Sequence, residues 1–518
     1  MSLPLDTTAV LPTQLEIRHL DAAVERAVRQ CLDSQDEQGA WEILPDPRLF
    51  ETALGALALA QVDRDHAALA TMRARNWVRD AMPQKHHPVA YFIESTLKDL
   101  VLNTSDSVDM MNSMFAGDVL SSRARLLYSL ALHAGKKVLA RQNEEDFRVA
   151  LEKDLQRAVE EKLKQWTMVD LYSARILVEA RHDRPEVIRE AVQYLVAVQA
   201  ADGSFCANPV STFIALMALG VAAPDSEACR RCHAFVVSAQ HPDGTWRFCS
   251  SDIWDTSLMV RGFRLHPVFA RHAMGRAIRF LQVWQNADGG WPFRRGVESD
   301  NDTTGSVLLT LKGIAPSKRA VARACGHLAG NQMANGLWRT WHYRSDPPVE
   351  DTIAHIIGGL ESHPVQHNIS LDASKRWLEE RFNETGCWKA SWYYSIPYAI
   401  VEVTRALGPS FPSVQKAIEH LEATQNNDGG WGQELGTPSV PSATGLAIAA
   451  LIDHRPADSK AIVRGLNYLL ATQRHDGTWP GAPEMFGPRP LISHYQTHTQ
   501  AFVAMGLIPA WDKLRRLQ

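Results

Sequence analysis

The chain has 518 residues, 45% of them hydrophobic and 22% charged, with a formal net charge of −4. That length exceeds what one hydrophobic core organises, most simply giving two domains, and the balanced charge implies no nucleic-acid partner. The smoothest apolar stretch, around Ile214 to Ala223, falls well short of the ~20 residues that span a bilayer. The opening Met1-Ser2-Leu3-Pro4-Leu5-Asp6 carries no leader pattern, so a soluble cytoplasmic protein is expected.

Taken in chain order, the dominant signal is a repeat. An apolar helix ends in Gln, and a polar turn with Gly and an aromatic follows. The instances are Gln35…Gly39-Ala40-Trp41, Gln199…Gly203-Ser204-Phe205, Gln240…Gly244-Thr245-Trp246 and Gln285…Gly289-Gly290-Trp291. They continue with Gln332…Gly336-Leu337-Trp338, the degenerate Gly386-Cys387-Trp388, Gln425…Gly429-Gly430-Trp431 and Gln473…Gly477-Thr478-Trp479. Gly suits a left-handed helix end, Asp caps the turn, the aromatic covers the end of a neighbouring helix, and Gln bridges free backbone groups.

Between the first and second copies, about Ile43 to Glu190, the repeat is lost and the charge texture changes, although helical periodicity persists at Leu151, Leu155, Val159 and Leu163. This predicts an all-α protein of two helical toroids. One comprises residues 1–45 and 250–518, with six repeat copies as a six-fold double ring needs; the other, residues 46–249, is inserted into it.

Seven scattered cysteines, an odd number, argue against a disulfide framework. Cys229-Arg230-Arg231-Cys232-His233 matches a haem-attachment pattern but lies in a helix-like segment, and reads as a helix carrying two thiols.

Asp300-Asn301-Asp302-Thr303-Thr304 stands between the turn at Trp291 and the apolar run Val307-Leu308-Leu309. Asp, Asn and Thr disfavour helix interiors and favour helix starts, so by itself the stretch reads as an N-cap.

Several segments together resemble a family. The Gln…Asp-Gly-Gly-Trp repeats are similar to the QW motifs of squalene–hopene cyclases and class II diterpene cyclases. Ile253-Trp254-Asp255-Thr256 resembles their V-W-D-T, and Asp300-Asn301-Asp302-Thr303-Thr304 falls where they carry D-x-D-D-T. Asp346-Pro347-Pro348-Val349-Glu350-Asp351-Thr352-Ile353-Ala354-His355 resembles D-P-P-S-E-D-V-T-A-H of squalene cyclases. The likeness runs through residues 240–518, covers the first 45 passably, and is weak over the insert.

The resemblance implies a cyclase that protonates an alkene, with Asp302 as the general acid and Asp300, Thr303 and His355 as its support. Trp254, Trp392, Tyr398 and Tyr495 are the implied cavity aromatics, able to stabilise a cation by roughly 0.5–2 kcal/mol each. The D-x-D-T-T variant is similar to that of drimenyl diphosphate synthases acting on farnesyl diphosphate; labdane-type enzymes acting on geranylgeranyl diphosphate usually carry D-x-D-D. No D-D-x-x-D motif is present, so the diphosphate is expected to be retained. Arg294, Arg295, Arg339, Lys389 and Arg489 are candidate diphosphate ligands, each equally readable as surface charge, and Glu94 is the candidate ligand for an accompanying Mg²⁺. Remaining alternatives are a prenyltransferase-like subunit, which would need zinc, and a non-catalytic toroid that binds an isoprenoid or a protein.

Overall fold

The computed structural model describes residues 15–62, 67–104, 141–182, 184–314, 317–341, 343, 346–364 and 368–517, with the backbone alone at 141–144. The leader reading at Met1–Asp6 lies outside them. Helices dominate, and the strands among these residues are the two-residue Met485–Phe486 and Ile492–Ser493.

The chain divides into two compact units. One comprises Met1–Ile43, Ser250–Phe486 and His494–Gln518, and the other Leu44–Cys249 with Gly487–Ser493. Residues 487–493 group with the second unit, unlike the expected division, because hydrogen bonds hold them there. Arg48 donates to the Gly487 carbonyl, and the Gln84 side chain exchanges bonds with the backbone of Ile492.

In the first unit, six helices close a ring, each packed on the next: Asp252–Phe263, Asn301–Thr310, Glu350–Glu361, Ile396–Leu407, Pro441–His454 and Gln496–Arg516. The last returns to the first. These helices are buried nearly all round; in Pro441–His454 every residue from Pro441 to Ile452 is buried. A second set lies outside: Ile17–Asp33, Met274–Val283, Lys318–Asn331, Asp372–Thr385, Pro412–Ala423 and Lys460–Thr472. Their apolar residues fall on one face, as with Leu20, Ala23, Val24, Ala27, Val28 and Cys31 in Ile17–Asp33. The all-α double ring expected from six repeats is what forms.

The repeat turns tie each outer helix to the next. Gln285 Nε2 donates to the Gly289 carbonyl in its own turn and to the Ala320 carbonyl in the following outer helix. Gln425 does the same with Gly429 and Ala461, and Gln473 with Gly477 and Ala23, which closes the ring on its first helix. The indoles act differently from expectation. Each indole N–H donates to the carbonyl ten residues earlier, so it caps its own outer helix rather than a neighbour: Trp41 to Cys31, Trp291 to Leu281, Trp431 to Leu421, Trp479 to Leu469. These carbonyls belong to last turns, which lack intrahelical donors. Gly289 sits at φ +90°, where a Cβ would lie 2.6 Å from the Arg323 carbonyl oxygen, so only glycine fits.

The second unit is built on helices such as Leu49–Val62, Gln165–Glu179 and Pro209–Ala222, with its own apolar core. Its two repeat turns use the same bonds, Gln199 to Gly203 and Ala228, and Gln240 to Gly244 and Ala70. Cys229 and Cys232 lie buried in the helix Glu227–Ser238, as the helix reading expects.

Candidate active site

Bonds near the starts of the inner helices, Asp302 to His355 and Asp255 to Thr497, place their N-termini at one end of the ring. The stretch at Asp300 is a helix start, as its composition predicts. Asp300 is the N-cap of Asn301–Thr310, and its carboxylate accepts the Thr303 N–H at 2.6 Å and the Thr303 hydroxyl at 2.9 Å. Thr304 belongs to the repeat: its hydroxyl accepts the Trp291 N–H, as Thr256 does for Trp41 and Thr444 for Trp431. Asp300 and Thr303 thus fix the turn on which Asp302 stands.

Asp302 turns inward and is 5% exposed. Its Oδ1 lies 2.6 Å from His355 Nδ1, on the adjacent helix Glu350–Glu361. Gly305 permits this approach, since a Cβ there would sit 2.8 Å from the His355 carbonyl carbon. The other ring nitrogen, Nε2, is 3.3 Å from the Tyr398 hydroxyl and 3.3 Å from Glu402 Oε2. Glu402 takes both its carboxylate oxygens to the Arg261 guanidinium at 2.6 Å.

A continuous buried chain therefore runs Asp302–His355–Glu402–Arg261. Burial alone would lower the His355 pKa, but the charges of Asp302 and Glu402 outweigh it and raise it to about 9. Burial would raise Glu402, yet Arg261 and His355 hold it well below the usual carboxylate range.

Asp351, one helical turn before His355, is pushed up to about 7, first by burial and then by the charge of Asp302. Its Oδ2 accepts the N–H groups of Ser391 and Trp392, whereas its buried Oδ1 has no hydrogen-bond partner. An imidazolium bonded to a carboxyl stabilises the carboxylate that proton donation would leave, the arrangement a general acid needs.

Aromatic rings line up beside His355. Trp254 meets it edge-on at 5.6 Å and Tyr398 at 6.1 Å. Tyr393 stands 4.2 Å from Tyr398, and Phe502 lies 5.2 Å from Tyr393. Tyr495 stacks on His498 at 4.6 Å, one step further round. Trp392 is only partly buried and packs at the edge of the core.

The sequence reading passed over Glu402, Arg261, Tyr393 and Phe502. One signal was available: Tyr398 and Glu402 are four apart in Ile396–Leu407, hence on one helix face, and a carboxylate amid apolar residues needs a buried cation.

The candidate diphosphate ligands scatter. Arg295 is already neutralised by Asp252 and Glu42 and lies over the Trp284 ring, so it serves as a structural clamp. Arg339 donates to the Asp346 carbonyl. Arg294 is partly buried, Lys389 is exposed, and Arg489 is exposed in the second unit. Glu94 does not suit a metal ligand. It is fully buried, and its two oxygens accept the backbone N–H groups of Phe50 and Gln84. Burial foremost pushes its pKa up to about 7, favouring a neutral side chain where a metal needs a carboxylate. Among the described residues, no three His, Cys, Asp or Glu side chains converge as metal ligands.

Comparison with known proteins finds two domain matches. The squalene–hopene cyclase C-terminal domain matches residues 341–508, and the prenyltransferase alpha-alpha toroid domain matches residues 142–338. Both halves of the ring-forming chain thus resemble domains of cyclases and toroid prenyltransferases. A drimenyl diphosphate synthase from Streptantibioticus cattleyicolor is 27% identical over 375 residues, covering 67% of this chain and 70% of the relative. A squalene–hopene cyclase from Bradyrhizobium diazoefficiens is 25% identical over 292 residues, 45% of this chain and 44% of its own. Among solved structures, the ent-copalyl diphosphate synthase from Streptomyces platensis shares the fold, with a TM-score of 0.58 at 16% identity, covering 95% of this chain and 99% of that one. No described helix is long and apolar enough to cross a membrane.

Proposed function

We propose that this protein is a class II terpene cyclase that converts farnesyl diphosphate to the bicyclic drimenyl diphosphate, with Asp302 as the general acid and the diphosphate retained. The observation carrying this reading is the buried 2.6 Å contact between Asp302 Oδ1 and His355 Nδ1. An imidazolium bound to one carboxyl oxygen leaves the other as the proton-bearing atom and stabilises the carboxylate left after transfer, which strengthens the acid. Glu402 and Arg261 keep the imidazole charged and in place.

Proton transfer from Asp302 Oδ2 to the terminal alkene creates a tertiary cation. Two ring closures move the cation inward, and loss of a proton ends the reaction. Trp254, Tyr398, Tyr393 and Phe502 offer ring faces to the moving charge where water is scarce.

The choice of a fifteen-carbon substrate rests on Thr303 in place of a second Asp and on the likeness to drimenyl diphosphate synthases. Mg²⁺ enters this proposal only as a counter-ion brought by the diphosphate, since Glu94 does not suit it and no step requires it. The deciding experiment incubates the protein with farnesyl and geranylgeranyl diphosphates and Mg²⁺, then treats with phosphatase. Drimenol from the first is expected. A bicyclic product from the second alone would make it a labdane-type enzyme, and tight binding without turnover of either would make it a non-catalytic toroid.

A further inference from the structure

A second buried chain of polar side chains stands on the far side of Tyr393 from the acid. Trp254 Nε1–H donates to the Tyr393 hydroxyl at 2.7 Å. That hydroxyl lies 3.2 Å from His498 Nδ1, and His498 Nε2 lies 2.8 Å from Asp255 Oδ1. Asp255 also accepts the hydroxyls of Ser251 at 2.7 Å and Thr497 at 2.9 Å. His498 and Asp255 are wholly buried, and Tyr393 is 3% exposed.

The donors fix the direction of the chain. An Asp255 carboxylate can only accept, so His498 Nε2 carries a hydrogen, and in the neutral imidazole Nδ1 then presents a lone pair. The Tyr393 oxygen already accepts from Trp254, so its own hydrogen points to Nδ1. One lone pair of the phenol oxygen then remains, beside the aromatic wall of Trp254, Tyr398 and Phe502.

We propose that Tyr393 is the base that ends the cyclisation, passing the proton through its hydroxyl to His498, held by Asp255. The inference rests on the cyclase reading above. A C–H bond next to the final cation breaks, and its electron pair becomes the new carbon–carbon double bond. Its proton joins the Tyr393 oxygen as the original phenolic proton moves to His498 Nδ1. The resulting imidazolium is balanced by Asp255, and nothing is oxidised or reduced. Both ends of the reaction are thus served by a histidine–carboxylate pair, one feeding the proton and one receiving it.

Glu484 is the rival. It is wholly buried, with Ser442, His494, His498 and Gln433 beside its carboxyl, and the next residue, Met485, bridges Tyr393.

The test compares products of the wild type with those of Tyr393→Phe, Asp255→Asn and Glu484→Gln, using farnesyl diphosphate, and assigns His498 by nitrogen NMR. Wild-type His498 should carry its hydrogen on Nε2 and none on Nδ1. In Tyr393→Phe, water-quenched alcohols and alkene isomers should rise at least ~10-fold relative to the wild-type product, while substrate consumption falls less. Asp255→Asn should shift products the same way, which keeps the test open if Tyr393→Phe misfolds, and Glu484→Gln should leave the product unchanged. An unaltered product from both relay variants, a Glu484→Gln variant that alone changes it, or a hydrogen on His498 Nδ1 would overturn the proposal. If the wild type yields no cyclised product, the cyclase reading fails and the relay with it, a result separate from any of these.

Discussion

Each residue of the Asp302–His355–Glu402–Arg261 chain has a distinct electrostatic task, and two are open to measurement. Replacing Asp302 by Asn removes the proton while preserving size and the bond to His355. Cyclisation should fall by about 10²–10⁴-fold at least, with the circular dichroism spectrum unchanged; turnover near the wild-type rate would remove Asp302 as the acid.

His355 has a folded pKa of about 9 against an ordinary 6.5. Its contribution to stability is therefore complete below pH 6.5 and is lost as pH rises through 9, an effect on the order of 3 kcal/mol. Melting temperatures measured from pH 6.5 to 9 should fall more steeply in the wild type than in His355→Gln. Parallel slopes would mean that the histidine is not charged in the folded protein.

Asp351 works in the opposite sense. A carboxyl whose pKa is raised to about 7 costs stability increasingly from pH 3.8 upward, the full cost being present above pH 7. Asp351→Asn keeps an oxygen for the N–H groups of Ser391 and Trp392 and carries no charge. It should melt at the same temperature as the wild type or higher at pH 8; a lower melting temperature would mean that Asp351 is not held neutral by burial.

At the scale of elements, Asp302 and His355 meet because two inner helices touch backbone to backbone. Gly305 lets Asn301–Thr310 approach Glu350–Glu361, and Gly359 completes the contact, since a Cβ there would lie 2.6 Å from the Gly305 carbonyl oxygen. Gly305→Ala should push the helices apart, costing about 1–3 kcal/mol in denaturant unfolding. Activity should drop further than stability, because the 2.6 Å bond to His355 lengthens. An active Gly305→Ala enzyme would show that the spacing is not critical.

The same element shows how far a motif alone can be read. Asp300, Thr303 and Thr304 are local: each bonds within a few residues or to its own repeat turn, and the N-cap reading described them before any tertiary contact was known. Asp302 differs only in facing across to a residue 53 positions away.

At the scale of the molecule, the ring is closed by the first helix. Gln473 bonds to the Ala23 carbonyl, and Arg26 reaches back to Gln473 Oε1 at 2.6 Å. Trp511, in the last helix, donates to Asp21. Deleting residues 15–33 should therefore expose the apolar faces of Lys460–Thr472 and Gln496–Arg516. Light scattering should report aggregation, whereas a monodisperse truncated protein would show that the ring is stable when open.

What the sequence determined by itself was everything periodic or local. The repeat specified the all-α double ring, because a Gln, a glycine and an indole at set spacing can satisfy helix ends in only a few ways. The segments ending in Thr304 and His355 marked Asp302 and His355 as a pair through their resemblance to cyclases, and the two are in contact. The remaining partners were set by tertiary structure. Glu402, Arg261 and Tyr393 look like ordinary residues of amphipathic helices and turns until ring closure removes them from water. Arg295, Lys389 and Arg489 look alike as cations, and only the fold shows that one is neutralised and two are exposed. Glu94 followed the same rule, its carboxyl taken up by backbone N–H groups. Charge pairing and burial are properties of the closed ring, where the low dielectric makes each unpaired group costly, and no linear pattern encodes which residues end up there.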